Sequence, residues 1–159
     1  MLNIQPGEKI VASQLSGDFI LPKEKNKKLV FIAGGIGVTP FRSMIKYLID
    51  KKEKRDITIF YSQKTFNDFA YVNDLDEAEK ELGIKTIYTL TEKNLVPTNW
   101  NGETGFIDMT MIKKYISDYN DRCYFLSGPH TMVVNFEKTL KNIGIKNSRI
   151  IKDFFPGFV

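Results

Sequence analysis

Short apolar runs alternate with amphipathic stretches along the chain from residue 28 onward. The runs are rich in Ile, Val, Tyr and Phe and have the length of strands, and the stretches between them carry apolar positions at helical spacing. This alternation predicts repeated βα units, and therefore a doubly wound α/β domain with a five-stranded parallel sheet. The predicted strands are Lys28–Ala33, Ile57–Ser62, Ile84–Leu90, Arg122–Ser127 and Arg149–Phe154.

Four helices are predicted between these strands. Pro40 suits an opening helical turn, because the amide proton that it lacks would have no intrahelical partner there. Gly83 and Gly144 each follow a predicted helix and precede a strand, where a residue in the left-handed conformation can close the helix. The predicted helices are Pro40–Asp50, Val72–Leu82, Met109–Ser117 and Thr131–Ile143.

The first 22 residues do not follow this alternation. Pro6 and Gly7 lead into residues 8–13, and a turn at Gly17 leads into residues 19–21, a pattern that predicts two antiparallel strands. Because an isolated hairpin is marginally stable in water, these strands are predicted to be the edge of another β domain. The predicted organisation is a partial β domain at 1–22, a linker at 23–27 and an α/β domain at 28–159.

Composition narrows the chemistry that the chain can perform. A chain of 159 residues, 42% of them hydrophobic, suffices for one principal core. No apolar run approaches the length of a transmembrane helix, and the start lacks a secretory signal, so a cytoplasmic location is predicted. The single cysteine, Cys123, and the single histidine, His130, cannot assemble a zinc or iron–sulfur site. Redox chemistry would therefore require an organic cofactor.

The net charge of +4 is concentrated in two lysine-rich segments, at 23–28 and 51–55. The second segment follows a predicted helix, where cations complement the negative end of the helix dipole, and the first lies in the polar linker. These positions favour a solvated surface. An acidic protein partner, such as an electron-transfer protein, or a phosphate is the alternative.

The segment 29–41 contains a strand, a glycine-rich turn and the start of a helix. Gly34, Gly35 and Gly37 permit positive φ and close approach of backbone amides to a ligand, and a helix N-terminus favours a pyrophosphate. Thr39 adds a possible hydroxyl donor. A tight structural turn without a ligand is the alternative interpretation.

Two common phosphate-binding motifs do not match this turn. Pro40 replaces the third glycine of the ordinary dinucleotide fingerprint, and no Asp or Glu ends the second strand, which excludes an ordinary dehydrogenase. No Gly-Lys-Ser/Thr follows at P-loop spacing, and Lys46 lies well inside the helix.

A second strand, turn and helix start lie at 124–132, with Ser127, Gly128 and Pro129 at the bend. In a doubly wound sheet the first and fourth of the predicted strands flank the point where the strand order reverses. Their carboxyl ends therefore open onto one crevice. The two bends are predicted to line a single cleft that accepts a dinucleotide.

Together these motifs resemble the NAD(P)-binding domain of the ferredoxin-NADP reductase superfamily. That family carries Gly-Gly-x-Gly-x-Thr-Pro after its first strand and Cys-Gly-Pro after its fourth. Residues 100–107 are similar to its Trp-x-Gly-x-x-Gly stretch, 153–158 to its aromatic carboxyl terminus, and 5–19 to the last strands of its FAD-binding barrel, most of which would be absent. The chain departs from the pattern at Ser127, where cysteine is frequent, and at His130, where a second proline is common.

The resemblance implies hydride transfer from NAD(P)H to FAD, and onward to an acceptor such as ferredoxin, flavodoxin or an oxygenase component. Alone, the chain would be inactive and colourless, because the FAD domain is incomplete. Phe158 would stack near the flavin or belong to the core, and Ser127 is the candidate catalytic residue. The implied cofactor-binding residues are Gly34, Gly35, Gly37, Val38, Thr39, Pro40, Ser62, Lys64, Ser127, Gly128, Pro129, Met132 and Phe158.

Three questions stay open at this point. Ser62 and Lys64 could receive a 2′-phosphate, and no carboxylate is offered to a 2′-hydroxyl, which favours NADPH over NADH, although Lys64 could simply be solvated. His130 is interpreted as a helix-start residue rather than a proton donor. The chain could also be a stand-alone nucleotide-binding or interaction module that pairs with a separate flavoprotein chain, or a purely structural domain.

Overall fold

The computed structural model describes residues 5, 7–9, 11 and 17–155, without the side chains of Phe154 and Phe155. Six parallel strands form one sheet in the order β4-β3-β2-β1-β5-β6. The chain runs outward from β1 to β4 and then returns to the other side of β1, which confirms the predicted doubly wound α/β fold. The strands are β1 Leu29–Gly34, β2 Ile57–Gln63, β3 Lys85–Leu90, β4 Glu103–Thr104, β5 Cys123–Pro129 and β6 Ile150–Phe155.

The sixth strand is a difference from the sequence-based prediction of five. β4 has only two residues, Glu103 and Thr104, which pair with Thr89 and Leu90 of β3. A polar strand of two residues carries no periodic signal, so its existence depends on the neighbouring edge of β3.

Four helices connect the strands close to their predicted positions. α1 begins two residues before Pro40, and the proline still fits because the first four amides of a helix have no intrahelical partner. Gly83 and Gly144 have φ of 75° and 91°, which confirms their left-handed conformation. The helices are α1 Val38–Asp50, α2 Val72–Leu82, α3 Met109–Tyr115 and α4 His130–Asn142.

The core has two halves, one on each face of the sheet. In β1, Phe31 and Ala33 contact the half that contains α1 and α2, while Val30 and Ile32 contact the half that contains α3 and α4. All of β1 is buried, which explains why its sequence is a continuous apolar run rather than an alternating one.

The segment before β1 packs on the α1 side of the sheet. The ring of Phe19 lies 5.6 Å from that of Phe41 and 5.4 Å from that of Phe125. The Arg55 guanidinium donates to the carbonyl oxygen of Pro22 at 2.7 Å. Residues 19–21 pair with no described strand, and half of the other predicted strand, 8–13, lies outside the described residues. The partial β domain therefore stays a prediction.

Charged side chains meet at the amino ends of β1, β2 and β5. Arg122, which is nearly buried, donates to Asp56 at 2.6 Å and to Asp118 at 2.8 Å, and Lys28 donates to Asp118 at 2.6 Å. Hydrogen bonds from Lys28 and Arg122 lower the pKa of Asp118 to about 2. No described helix has the length and apolar character needed to cross a membrane.

Candidate functional site

The two glycine-containing bends lie against each other at the carboxyl ends of β1 and β5. A Cβ added to Gly37 would lie 2.3 Å from the carbonyl oxygen of Ser127 and 2.6 Å from the amide nitrogen of Gly128. One added to Gly34 would lie 3.2 Å from Cδ of Pro129. The bends therefore adjoin one cleft, as the sequence predicts.

The glycines of the first bend have different roles. Gly37 is buried, and its missing side chain lets the two bends pack together. Gly35 has φ of 58°, borders the cleft, and apart from its chain neighbours has no described atom within 4 Å of its would-be Cβ. Gly35 is therefore the position where a ligand can approach the backbone closely.

Two helices begin at this cleft. α1 starts after Gly37 and α4 after Pro129, neither with a side-chain cap, and neither has an acidic residue in its first turn. Amides in the first turn of a helix lack intrahelical acceptors, and the helix dipole adds partial positive charge there. The dipoles of the two 13-residue helices thus favour an anionic group in the cleft, whereas the Val38 amide of α1 already donates to the Gly35 carbonyl.

The cleft has a volume of about 730 Å³ and extends from these bends across the carboxyl ends of β2 and β3. This volume is within the range of small-molecule sites, and the walls combine polar groups with apolar side chains. The wall beside α4 contains Pro129, Thr131, Met132, Asn135 and Phe136.

The wall beyond β2 contains a carboxylate that the sequence interpretation did not place. Ser62 and Lys64, which the sequence predicts as cofactor-binding residues, line the cleft, and Asp68 lines it as well. Thr65 donates to Asp68 Oδ2 from its hydroxyl at 2.9 Å and from its backbone amide at 3.0 Å. The sequence interpretation found no Asp or Glu at the end of β2, and the short turn Phe66–Asp68 brings Asp68 to the cleft.

The opposite wall is formed by the residues that follow β4. The hydroxyl of Thr89 donates to the Gly105 carbonyl at 2.7 Å, and the Gly105 amide donates to the Leu90 carbonyl at 2.8 Å. These bonds fix the backbone just before Phe106 and Ile107, which line the cleft. Phe106 is 81% exposed, so its ring is available to a ligand.

Ser127 is fully buried at the end of β5. Within the described part of the chain its hydroxyl has no hydrogen-bond partner. Buried hydroxyls are usually paired, so this hydroxyl can bond a water molecule or a ligand group, as can those of Thr86 and Tyr88.

The structure distributes the predicted site residues among three environments. Gly37, Ser127 and Gly128 lie where the two bends pack together, and the Val38 side chain is in the core. Thr39 is exposed in the first turn of α1, next to Pro40, and its hydroxyl donates to the Ile36 carbonyl at 2.8 Å. Phe158 lies outside the described residues. The predicted residues that line the cleft are Gly34, Gly35, Ser62, Lys64, Pro129 and Met132.

The sequence interpretation missed several of the residues that form the cleft. Thr65 and Asp68 form a capping box, a pattern visible in the sequence that could have indicated a held carboxylate. Nothing in the local sequence brings Thr91 or Asn135 to the cleft, because their positions depend on how the strands and α4 are arranged. His130 is the first residue of α4, in agreement with its interpretation as a helix-start residue.

The fold and the cleft define a doubly wound nucleotide-binding domain. Residues 31–138 match the family model described as the oxidoreductase NAD-binding domain, and the chain belongs to this family. Its superfamily is that of the ferredoxin reductase-like flavoproteins, as the sequence motifs predict. The chain therefore contains the NAD-binding domain of an oxidoreductase.

Comparisons with individual proteins agree with this family. A component of the Na(+)-translocating NADH-quinone reductase of Actinobacillus succinogenes is 30% identical over 98% of this chain and 39% of its own length. Its counterpart in Neisseria meningitidis gives the same values. The chain thus spans well under half the length of these relatives.

Solved structures share the fold. The flavohemoglobin of Malassezia yamatoensis, determined with bound FAD and heme, matches with a TM-score of 0.71 and 27% identity over 85% of this chain and 33% of that chain. The flavohem-like FAD/NAD-binding domain of the nitric oxide dioxygenase of Vibrio cholerae matches with a TM-score of 0.75 over 88% of this chain and 55% of that chain. At 18% identity, the second match supports the fold alone.

Proposed function

We propose that this chain binds NADH across the carboxyl ends of its strands and positions the nicotinamide for hydride transfer to FAD. The observation that carries the proposal is the single cleft that joins the packed bends at Gly37 and Ser127 to a wall containing Asp68. A flavin-binding domain or chain would complete the reductase. The names and lengths of the relatives support such an arrangement.

The pyrophosphate would lie beside Gly35 and the first turns of α1 and α4. Gly35 offers the backbone without a side chain in the way, and the two helix N-termini supply partial positive charge. Because the Thr39 hydroxyl donates to a carbonyl of its own turn, backbone amides rather than this hydroxyl would donate to the phosphates.

The adenosine ribose would lie between the ends of β2 and β3, beside Asp68. Both hydrogen bonds from Thr65 go to Asp68 Oδ2, which leaves Oδ1 to accept from a ribose hydroxyl. A 2′-phosphate at the same place would be repelled by the carboxylate. The sequence-based preference for NADPH relied on the absence of such a carboxylate, and Asp68 therefore makes NADH the better candidate. Lys64 and Ser62 would contact the ribose or the adjacent phosphate.

The adenine would contact Phe106, which borders the cleft and is mostly exposed. Aromatic rings bind nucleobases by stacking, irrespective of the base's hydrogen-bond pattern. The nicotinamide would extend the other way, toward the bend at Ser127, where the unpaired buried hydroxyl can hydrogen-bond a carboxamide after a small local movement. In this arrangement the cofactors supply the hydride chemistry, and the chain supplies the orientation.

Titration calorimetry of the purified chain with NADH and with NADPH tests the nucleotide assignment. We expect NADH to bind more tightly than NADPH. Asp68→Ala should weaken NADH binding by about 1.5–3 kcal/mol, as expected for loss of a hydrogen bond to a charged group. The same substitution should weaken NADPH binding little or not at all. Asp76→Ala, which removes an exposed carboxylate of α2, serves as the matched control.

The possible outcomes distinguish nucleotide binding in the cleft from the specific role of Asp68. If neither NADH nor NADPH bound to the chain, the proposal that the cleft is a nucleotide site would be refuted. The role of Asp68 would be refuted if the unaltered chain bound NADPH more tightly than NADH. It would also be refuted if Asp68→Ala lowered the affinity for both nucleotides equally. Either result would leave the family assignment intact.

Electron transfer requires a flavin, and we propose that the chain alone does not reduce an acceptor. Addition of NADH and ferricyanide to the chain should give no turnover, whereas addition of a matching flavin-binding domain should restore it. Reduction by the colourless chain alone would contradict the proposal. If the chain supported ferricyanide reduction only together with a separately encoded flavoprotein, it would be one component of a two-chain reductase, which is the alternative proposal.

The acceptor and the surroundings of the chain stay predictions. An acidic electron-transfer partner is the alternative interpretation of the lysine-rich segments, and within the chain Lys25 pairs with Glu53 and Lys28 with Asp118. These pairs favour the surface interpretation for the two lysines. The cytoplasmic location, and ferredoxin, flavodoxin or an oxygenase component as acceptor, rest on the sequence alone.

A further inference from the structure

The turn that carries Asp68 is short and exposed. It is a single 3₁₀ turn of three residues, Phe66–Asp68, and Asp68 itself is exposed. Thr65 donates twice to the Asp68 carboxylate, Gln63 donates to the Asp68 carbonyl at 2.9 Å, and the next residue, Phe69, packs on Tyr61 and Tyr88 at 5.0 Å. These bonds and rings hold the inner side of the turn, and its exposed side at Phe66 needs a contact from another segment.

Trp100 supplies that contact. Its ring stacks on Phe69, with centroids 5.8 Å apart and planes at 11°, and meets the edge of Phe66 at 5.9 Å. These two phenylalanines stand on either side of Asp68 in the sequence. Trp100 therefore contacts the first residue of the turn and the residue that follows Asp68.

Trp100 is itself fixed to a rigid segment. Its indole nitrogen donates to the Glu103 carbonyl at 2.9 Å, next to the bonds that tie Gly105 to β3. A Cβ added to Gly102 would lie 2.2 Å from the indole ring, so the backbone packs closely against its face. The Glu103 carboxylate accepts from Lys114 at 2.6 Å, which ties the same segment to α3.

The exposure of these rings argues against a purely core role. Phe66 is 54% exposed and Trp100 is only half-buried, at the edge of the sheet beyond β3. Burial of a ring stabilises a fold in proportion to the area removed from water, and this cluster leaves much of that area exposed. A role in holding the turn explains the arrangement better.

We propose that Trp100 is a positioning residue that holds the Asp68 turn, and so sets how strongly the cleft distinguishes a ribose 2′-hydroxyl from a 2′-phosphate. The inference rests on the proposed binding of NADH. It predicts that loss of the ring stack relaxes nucleotide discrimination while the chain stays folded. The rest of the cleft should still accept the dinucleotide, because Gly35 and the helix N-termini do not depend on Trp100.

Calorimetric titration of NADH and NADPH into Trp100→Leu, Trp100→Phe and Phe66→Ala tests the proposal. In Trp100→Leu the ratio of NADH to NADPH affinity should fall roughly 10-fold, close to the lower end of the effect of losing a charge-assisted hydrogen bond. Trp100→Phe retains a ring for the stack and should keep the ratio within about twofold of the unaltered chain. Phe66→Ala should lower the ratio by roughly 2- to 10-fold, as expected for loss of one aromatic pair.

If Trp100→Leu does not fold, Phe66→Ala still tests the proposal. The Phe66 side chain is largely exposed, so its removal should leave the fold intact. Tyr47→Ala is its matched control, since Tyr47 is 51% exposed on α1 and does not line the cleft. Equal weakening of NADH and NADPH in the folded variants would indicate a merely structural role and overturn the proposal. The proposal would also be overturned if the ratio of NADH to NADPH affinity fell in Asp68→Ala but stayed unchanged in Phe66→Ala. That result would leave the proposed function intact. Absence of NADH binding by the unaltered chain would instead refute the proposed function itself.

Discussion

Gly37 lies against the backbone of Ser127 so closely that a methyl group at Gly37 would come within 2.3 Å of the Ser127 carbonyl oxygen. The two residues are 90 positions apart in the chain, yet their contact joins the ends of β1 and β5. This packing brings the two glycine bends together beside one cleft.

Gly37→Ala is expected to separate the bends. Overpacking against a backbone atom should lower the free energy of unfolding by about 1–3 kcal/mol, measured by urea denaturation, and NADH affinity should fall with it. Gly144→Ala is the control, because Gly144 has φ of 91° and open space around its would-be Cβ. It should destabilise through backbone strain while leaving NADH affinity unchanged. Unaltered NADH binding in Gly37→Ala would show that the contact does not shape the cleft.

Phe106→Ala is expected to weaken binding of 5′-AMP without affecting the fold. Loss of one base–aromatic stack should cost about 1–3 kcal/mol of binding free energy, measured by calorimetry. Because Phe106 is 81% exposed, the melting temperature should hardly change. Leu95→Ala, at a side chain that is 59% exposed and outside the cleft, should leave AMP binding intact. Equal AMP affinity in Phe106→Ala and the unaltered chain would place the adenine elsewhere.

Ser127→Ala is expected to leave the stability of the chain unchanged or to raise it by about 1 kcal/mol, because it removes a buried hydroxyl without a described partner. Thr89→Val provides the contrast at an equally buried hydroxyl that donates to the Gly105 carbonyl. It should lower the free energy of unfolding by about 1–3 kcal/mol, because the carbonyl loses its donor. Chemical denaturation of both variants measures the difference. A large loss of stability in Ser127→Ala would mean that its hydroxyl is paired in solution.

Asp118→Asn is expected to destabilise the chain in a pH-dependent way. The pKa of Asp118 is lowered to about 2 by Lys28 and then Arg122, whereas an unfolded aspartate titrates near 3.9. Its stabilisation is therefore fully present above about pH 4 and is lost as the pH falls toward about 2, since the unfolded chain takes up the proton first.

Urea denaturation at several pH values measures this effect. The difference between Asp118→Asn and the unaltered chain should be about 1 kcal/mol near pH 6, as for partly exposed ion pairs, and should shrink as the pH is lowered to 2. Asp121→Asn, at a neighbouring exposed carboxylate, is the control. A difference that grows toward acid pH would contradict the assignment.

Much of the fold follows from local sequence. The apolar runs and the helical spacing placed five strands and four helices within a few residues of their observed bounds. The glycines at 83 and 144 marked two helix ends correctly, because only a residue without Cβ enters the left-handed region at low cost. β4 was missed, since pairing with β3 rather than its own two residues makes it a strand.

The cleft required the tertiary structure. By itself the sequence determined the fold class, the two glycine bends and the family, because these depend on local backbone requirements and on periodic burial. Only the packed sheet decided that Gly37 touches Ser127, that Thr39 uses its hydroxyl within its own turn, and that Asp68 lines the cleft. Those relationships join residues from separate elements, and no local preference encodes the distance between them.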